Sequence, residues 1–244
     1  MARLAGLRST AGHFNLADPT ERHRSTQRLM ELYFDLLMEI RPSVTAEIGA
    51  FDASFSLEMK RRLPEVHAVA LEANPYNFAA RSAKALEAGV DYLHTAIADR
   101  DGALPFSVMT SYGDRRFPQV KGNDSLLRRN LADVDYEEVV VPATTAKRFF
   151  GQPRFLDSRI SLWIDVEGAA GKVLRGATEV FGRIQSLLIE VEEIQFWTDQ
   201  WSSRSVDAFL EQYGFVPVAR DSNINTMSCT FAARSSTCHG STIS

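Results

Sequence analysis

Val44-Thr-Ala-Glu-Ile-Gly-Ala-Phe-Asp-Ala-Ser-Phe55 begins as a short β-run, meets an acid at Glu47, turns at Gly49 and passes into a helix. That order is the first strand–turn–helix unit of an open α/β sheet, where ligands bind beyond the carboxyl ends of the strands. Gly49 lets a nucleotide-like ligand approach bare backbone. Counted from Gly49, Phe51 and Ser54 stand where a GxGxxG pyrophosphate turn would have glycine. On its own, the turn fits a cofactor site and an ordinary strand-to-helix connection equally well.

The second unit narrows the choice. Ala68-Val-Ala-Leu-Glu72 is an apolar run closed by an acid, and Asn74-Pro75 then opens a helix with Asn74 as its cap. Glu72 at that strand end can accept hydrogen bonds from a ribose diol. Two such acids in series, with no phosphate cradle, indicate an adenosine cofactor without a pyrophosphate.

The third unit, Ile160 to Gly168, carries the chemistry. Ile160 to Val166 reads as a buried strand with Asp165 and Glu167 at its end, and alternation puts both acids on one face. Charges at the end of so apolar a strand need a partner or a solvated cleft. Asp165 is expected in the cleft, and Glu167 has helix capping as a second use. Leu188-Ile-Glu-Val-Glu192 repeats the pattern, so Glu190 falls beside Asp165 if the two strands are neighbours. Two carboxylates there can deprotonate a hydroxyl or bind a metal. No HxxxH-type spacing accompanies them, and no metal ligand is assigned. Glu192 and Glu193 are expected as solvated strand-end acids, and His94 as a satisfied core histidine.

The 244 residues suit one α/β domain of roughly 200 to 250 residues. Hydrophobic residues make up 45%, enough for a sizeable core. A net charge of −4 without a basic patch gives no case for nucleic acid. Two cysteines are too few for a disulfide framework or a zinc cluster, so a reduced, cytoplasmic setting is expected. No run has signal-peptide or membrane-spanning length. Residues 1–18 read as a flexible N-terminus, 19–233 as a single domain and 234–244 as a polar tail. Within the domain, Val90 to Ala98 and Leu104 to Met109 are expected to form a hairpin. Polar residues 110–135 read as a lid-like insertion. Helices alternate with buried strands up to a closing antiparallel pair, Phe215 to Ala219 and Met227 to Ala233. This predicts a mostly parallel, seven-stranded Rossmann-like sheet with helices on both faces.

Taken together, these residues resemble the FkbM family of S-adenosylmethionine-dependent methyltransferases from roughly Ala46 to Asp221. The resemblance rests on Glu47-Ile-Gly49-Ala-Phe-Asp, Glu72-Ala-Asn74-Pro75, Ala96-Ile-Ala-Asp99 and Gly122-Asn-Asp-Ser125-Leu. It continues through Val141-Pro-Ala-Thr-Thr145, Ile164-Asp-Val-Glu-Gly168 and Ile189-Glu-Val-Glu192. It implies a class I methyltransferase fold and O-methylation of a small-molecule hydroxyl, on a sugar, glycolipid or polyketide-type product. Under that resemblance Glu47 and Gly49, with Ala50 and Phe51, hold the methionine end of the cofactor. Glu72, Ala73 and Asn74 hold the ribose, and Ala98 and Asp99 the adenine side. Asp165 borders both cofactor and acceptor, and acts with Glu190 as the catalytic pair. Asn123, Ser125, Glu167 and Trp197 are the acceptor-side candidates. The chain departs from the family at Ala53, where glycine is frequent. It departs again at Trp163, where lysine often precedes the Ile-Asp-Val-Glu-Gly run, and at Ala146-Lys147 after the Thr-Thr segment. Two rival readings are a nucleotide-dependent oxidoreductase, against which the missing pyrophosphate turn speaks, and a degenerate binding module of the same fold.

Overall fold

The computed structural model describes residues 14–222 and 226–233, apart from residue 16. Most of the expected flexible N-terminus and all of the tail lie outside the described residues. Helix α1 (Pro19–Ile40) starts where Asp18 accepts the Thr20 amide at 2.7 Å and Pro19 occupies the first turn; it ends at Arg41 in the left-handed region. Strand β1 (Val44–Ile48), helix α2 (Ser54–Arg62), strand β2 (His67–Glu72) and helix α3 (Pro75–Glu87) follow as two strand–helix units. The remaining strands and α-helices are β3 (Asp91–His94), β4 (Ala96–Ile97), β5 (Gly102–Tyr112), β6 (Arg115–Arg116), β7 (Val134–Thr144), α4 (Ala146–Phe150), β8 (Ile160–Ile164), α5 (Ala170–Gly176), β9 (Ile184–Glu192), α6 (Ser203–Gln212), β10 (Phe215–Ser222) and β11 (Thr226–Ala233).

Seven strands form the main sheet in the order β10-β11-β9-β8-β1-β2-β3. Strands β3, β2, β1, β8 and β9 run parallel, while β11 runs antiparallel to both β9 and β10. The strand order reverses between β1 and β8, which is where an open α/β sheet leaves a crevice. One face carries α4, α5 and α6 over Ile48, Leu162, Ile164 and Ile189. The other carries α1 and α2 over Ala68, Ala70 and Leu188. Tyr33 of α1 donates to the Leu162 carbonyl at 2.6 Å and fastens that helix to the sheet.

The expected hairpin of 90–98 with 104–109 does not form. β3 stays at the edge of the main sheet beside β2, and β5 pairs instead with β7, from Gly102↔Ala143 to Tyr112↔Val134. β4, β7, β5 and β6 make a separate four-stranded sheet. Asp101 sets this pairing, because its carboxylate accepts the Thr145 amide at 2.8 Å and binds the turn after β4 to the end of β7. Part of the polar 110–135 stretch is therefore strand, and residues 117–133 are the connection that remains.

Trp163 sits among Tyr33 and Phe55 on the α1–α2 face, with its ring 5.1 Å from that of Phe55. The departure at this position is thus absorbed by aromatic packing. Ala53 is fully buried, caps α2 and has φ of 59°. A left-handed conformation there explains why glycine is frequent at that place: it adopts positive φ without a Cβ penalty.

Candidate active site

The carboxyl ends of β1, β2 and β8 open into a cleft. Its floor is the glycine turn, with Gly49 and Phe51. One side carries Glu72, Ala73 and Asn77, and another carries Asp165, Val166 and Glu167. Ala96 and Ile97 supply an apolar wall, and Lys121, Gly122, Asp124 and Leu126 come in from above.

Gly49 holds the turn for a reason beyond ligand access. Its φ is +84°, and a Cβ there would lie 1.7 Å from the Asp165 carbonyl oxygen. The amide of Gly49 donates to the Leu71 carbonyl at 2.9 Å, and that of Asp165 to the Ile48 carbonyl at 2.9 Å. The turn is thus wedged between two strand ends, and only a residue without a side chain passes.

Glu72 is buried and accepts the Phe51 and Asn74 amides, each at 2.7 Å. Burial raises its pKa, against the pull of those two amides. Asn74 is the expected cap and accepts the Tyr76 amide at 2.8 Å. Glu47 is turned to another task. Its carboxylate accepts the Phe55 amide at 3.3 Å and the Ser56 amide at 2.8 Å, at the start of α2. Burial pushes Glu47 up to about 7, with those amides opposing. It supports the turn from behind and does not line the cleft.

Asp165 and Glu190 come together as expected. β8 and β9 are neighbours, with Ile164 paired to Ile189, which puts Asp165, just past the end of β8, within reach of the Glu190 charge. Burial, then the charge of Glu190, holds Asp165 well above the usual carboxylate range. Burial and the charge of Glu192 raise Glu190 in turn. β8 stops at Ile164, so strand alternation does not place Glu167. A turn with φ of 49° at Glu167 and 81° at Gly168 brings it to the cleft. Burial pushes Glu167 to about 8, although the Arg129 guanidinium lies 3.7 Å from its carboxylate. Among the described residues, no group of three or more His, Cys, Asp or Glu is arranged to hold a metal ion.

The remaining candidates occupy less direct positions. Ala50 and Ala98 are buried, and their amides are spent on Leu71 and Thr144 carbonyls. Asp99 accepts from Arg175 at 3.0 Å, outside the cleft lining. Burial opposes its ionisation, but the Arg175 hydrogen bond and the Lys172 and Arg175 charges outweigh it and lower the pKa. Ser125 is buried and donates to the Glu167 carbonyl at 2.7 Å, a tie between loop and turn. Asn123 is half-buried beside it. Trp197 is fully buried, donates to Glu192 at 3.1 Å, and has the Arg129 guanidinium 4.3 Å above its ring. It is packed under the cleft and offers no open aromatic wall. Glu192 is consequently not a solvated strand-end acid: it is 6% exposed and held by that indole. Glu193, the other acid of the pair, is exposed. His94 is the satisfied core histidine expected, 3.0 Å from the Ala73 carbonyl and stacked on Phe78.

Among the lining residues to which the sequence assigns no role of their own are Asn77, Lys121 and Asp124. Asn77 sits in the first turn of α3, where only its distance from the Asn74 cap hinted at a role. Lys121 and Asp124 stand in a polar loop whose partners are up to 50 residues away.

The donor set fits an adenosine ligand. A carboxylate, Glu72, stands between a glycine turn and an apolar wall, and a second carboxylate, Asp165, stands across the turn. The sheet order, the single antiparallel strand and this cleft define a class I methyltransferase. A family model for the methyltransferase FkbM domain matches residues 43–217. The chain belongs to the FkbM methyltransferase family and is an S-adenosylmethionine-dependent methyltransferase by family and fold. No curated protein matches it. Solved structures resemble it remotely. A precorrin-6y C5,15-methyltransferase from Geobacter metallireducens has 14% identity and TM-score 0.41, over 78% of this chain and 79% of that one. The Burkholderia thailandensis 1,6-didemethyltoxoflavin-N1-methyltransferase, solved with its acceptor and S-adenosylhomocysteine, has 12% identity and TM-score 0.42, over 82% and 75%. A Pyrococcus horikoshii protein has 9% identity and TM-score 0.47, over 91% and 94%.

Proposed function

We propose that the protein transfers a methyl group from S-adenosylmethionine to a hydroxyl of a small molecule, on a sugar, glycolipid or polyketide-type product. The observation that carries this reading is Asp165 in the cleft lining, just past the end of β8, with the Glu190 carboxyl of neighbouring β9 acting on it and raising its proton affinity. Such a pair suits the uptake of a hydroxyl proton and has no evident use in hydride transfer.

S-adenosylmethionine, when bound, supplies an electrophilic methyl group on a sulfonium. Glu72 accepts the ribose hydroxyls, and Ala73, Ala96 and Ile97 border the adenine. The Gly49–Phe51 turn lets the methionine end approach backbone, with Glu47 bracing that turn through α2. An acceptor hydroxyl held above Asp165 would give up its proton to that carboxylate. The negative charge of Glu190 beside Asp165 favours proton uptake at Asp165. Alignment of oxygen, carbon and sulfur supplies most of the acceleration, and the base adds roughly 10²- to 10⁴-fold. Val166 and Glu167 line the acceptor side, and Ser125 braces Glu167 from behind.

The test is a panel of hydroxyl compounds incubated with labelled S-adenosylmethionine, with wild type beside Asp165→Asn. The reading predicts label in an ether-linked methyl group with wild type and at least roughly 10²-fold slower transfer with the variant. Equal rates would remove Asp165 as the base. Label on nitrogen or carbon acceptors only would replace O-methylation with another transfer.

A further inference from the structure

The segment from Gln119 to Ser125 crosses above the cleft and is pinned at both ends. On the cofactor side, the Asn74 side-chain amide donates to the Gln119 carbonyl at 3.0 Å and to the Asp124 carboxylate at 2.8 Å. Asn77 makes a two-bond clasp on Lys121, donating to its carbonyl at 2.8 Å and accepting its amide at 3.0 Å. On the acceptor side, Ser125 donates to the Glu167 carbonyl at 2.7 Å. In between, Gly122 lies against the Phe51 ring, 3.5 Å from where its Cβ would be. The strap therefore touches the glycine turn across the mouth of the cleft.

The centre of this arrangement is a buried ion pair. Lys121 Nζ lies 2.7 Å from Asp124, and the two side chains are 10% and 2% exposed. Asp124 also accepts the Met109 amide of β5 at 2.8 Å, which roots the strap in the second sheet. Desolvating two charges is costly, and an apolar pair of like volume would hold a loop as firmly. What an ion pair adds is a single geometry with directional bonds. Here the geometry leads to the ribose carboxylate: Glu72 accepts the Asn74 amide, and Asn74 in turn donates to Asp124. Asp124 is thus one residue removed from the group that grips the ribose.

We infer that Asp124 and Lys121 are positioning residues that lock the 119–125 strap over bound S-adenosylmethionine, so that cofactor release requires the Asn74–Asp124 and Asn77–Lys121 bonds to break. This rests on the proposed cofactor reading. It makes the Gly-Asn-Asp-Ser segment a closure acting through its aspartate.

The experiment follows S-adenosylhomocysteine on the full chain, as wild type, Asp124→Asn and Lys121→Met. Association and dissociation rates come from surface plasmon resonance, and amide hydrogen exchange is read over residues 119–125 with and without ligand. Loss of one partner of a buried charge pair acts on dissociation, so both variants should release the ligand about tenfold or more faster, with association changed by less than about threefold. Exchange of the strap should slow on ligand addition in wild type and stay fast in both variants. If Asp124→Asn does not fold, Lys121→Met and the wild-type exchange decide. Wild-type release rates in folded variants, or a strap whose exchange ignores bound ligand, would overturn the inference while leaving the cofactor reading intact. No ligand binding by wild type would overturn both.

Discussion

The place of a Cβ on Gly49 lies 1.7 Å from the carbonyl oxygen of Asp165, so the floor of the cleft and the turn after β8 are in backbone contact. Gly49→Ala adds that clash to the strain of a side chain at φ of +84°. The strand ends must part, and the expected loss is at least about 3 kcal/mol, in the range reserved for backbone and overpacking faults. Gly122→Ala is the contrast: its Cβ would meet the Phe51 ring at an ordinary 3.5 Å. Urea unfolding of the two variants should separate them widely. Equal stabilities would mean that the turn has room to shift.

Ala53 gives a second backbone test. Ala53→Gly relieves a left-handed strain of about 1–2 kcal/mol and removes one buried methyl worth about 0.8 kcal/mol. The variant is expected to unfold at or slightly above the wild-type Tm. Ala53→Val, β-branched and fully buried at φ of 59°, should lower it steeply. A marked loss for glycine would show that the methyl contact outweighs the strain.

Glu167 makes stability depend on pH. Its pKa rises from the ordinary 4.5 to about 8, mainly through burial. The folded state then binds more protons than the unfolded chain between those values, so stability falls as pH rises through that window. Below 4.5 the penalty is absent, and above about 8 it is complete. Glu47, raised to about 7, acts in the same direction over a narrower range. Wild-type Tm should therefore drop between pH 5 and pH 8, and Glu167→Gln should flatten that drop. At roughly 2–4 °C per kcal/mol the difference is readable by calorimetry. An identical slope in the variant would assign the pH dependence elsewhere.

Trp197 and Glu192 test a buried side-chain hydrogen bond. Trp197→Phe keeps the ring but leaves the buried Glu192 carboxyl without the indole donor at 3.1 Å. Loss of one hydrogen bond to a buried carboxyl costs about 1–3 kcal/mol. Thermal unfolding should show that loss, and the double variant Trp197→Phe/Glu192→Leu should recover part of it. No recovery would mean that aromatic packing, not the hydrogen bond, is what Trp197 contributes.

The main sheet was legible because burial repeats with a period in sequence. Val44–Ile48, Ile160–Ile164 and Ile184–Glu192 are apolar runs flanked by turn residues, and each is a strand of the main sheet. The second sheet was not, because β5 and β7 pair across a connection whose polar content hides the register. Asn74 announced itself through the following proline. Glu47 shows the limit of such patterns: an acid that closes a strand before a glycine reads the same whether it faces a ligand or the amides of the next helix. Glu192 and Trp197 fell to the same limit, since their hydrogen bond spans a turn without periodicity. Lys121 and Asp124 lie three apart in a loop, a spacing that means something in a helix and nothing there. Their partnership with Asn74 and Asn77 exists only in the folded chain.

Binding of S-adenosylmethionine is the central claim, and titration calorimetry of the full chain tests it without knowledge of the acceptor. The account predicts saturable one-to-one binding with Kd in the micromolar range, weakened at least about tenfold in Glu72→Ala through loss of the ribose hydrogen bonds. A folded protein that gives no heat with S-adenosylmethionine at high micromolar concentration would contradict it.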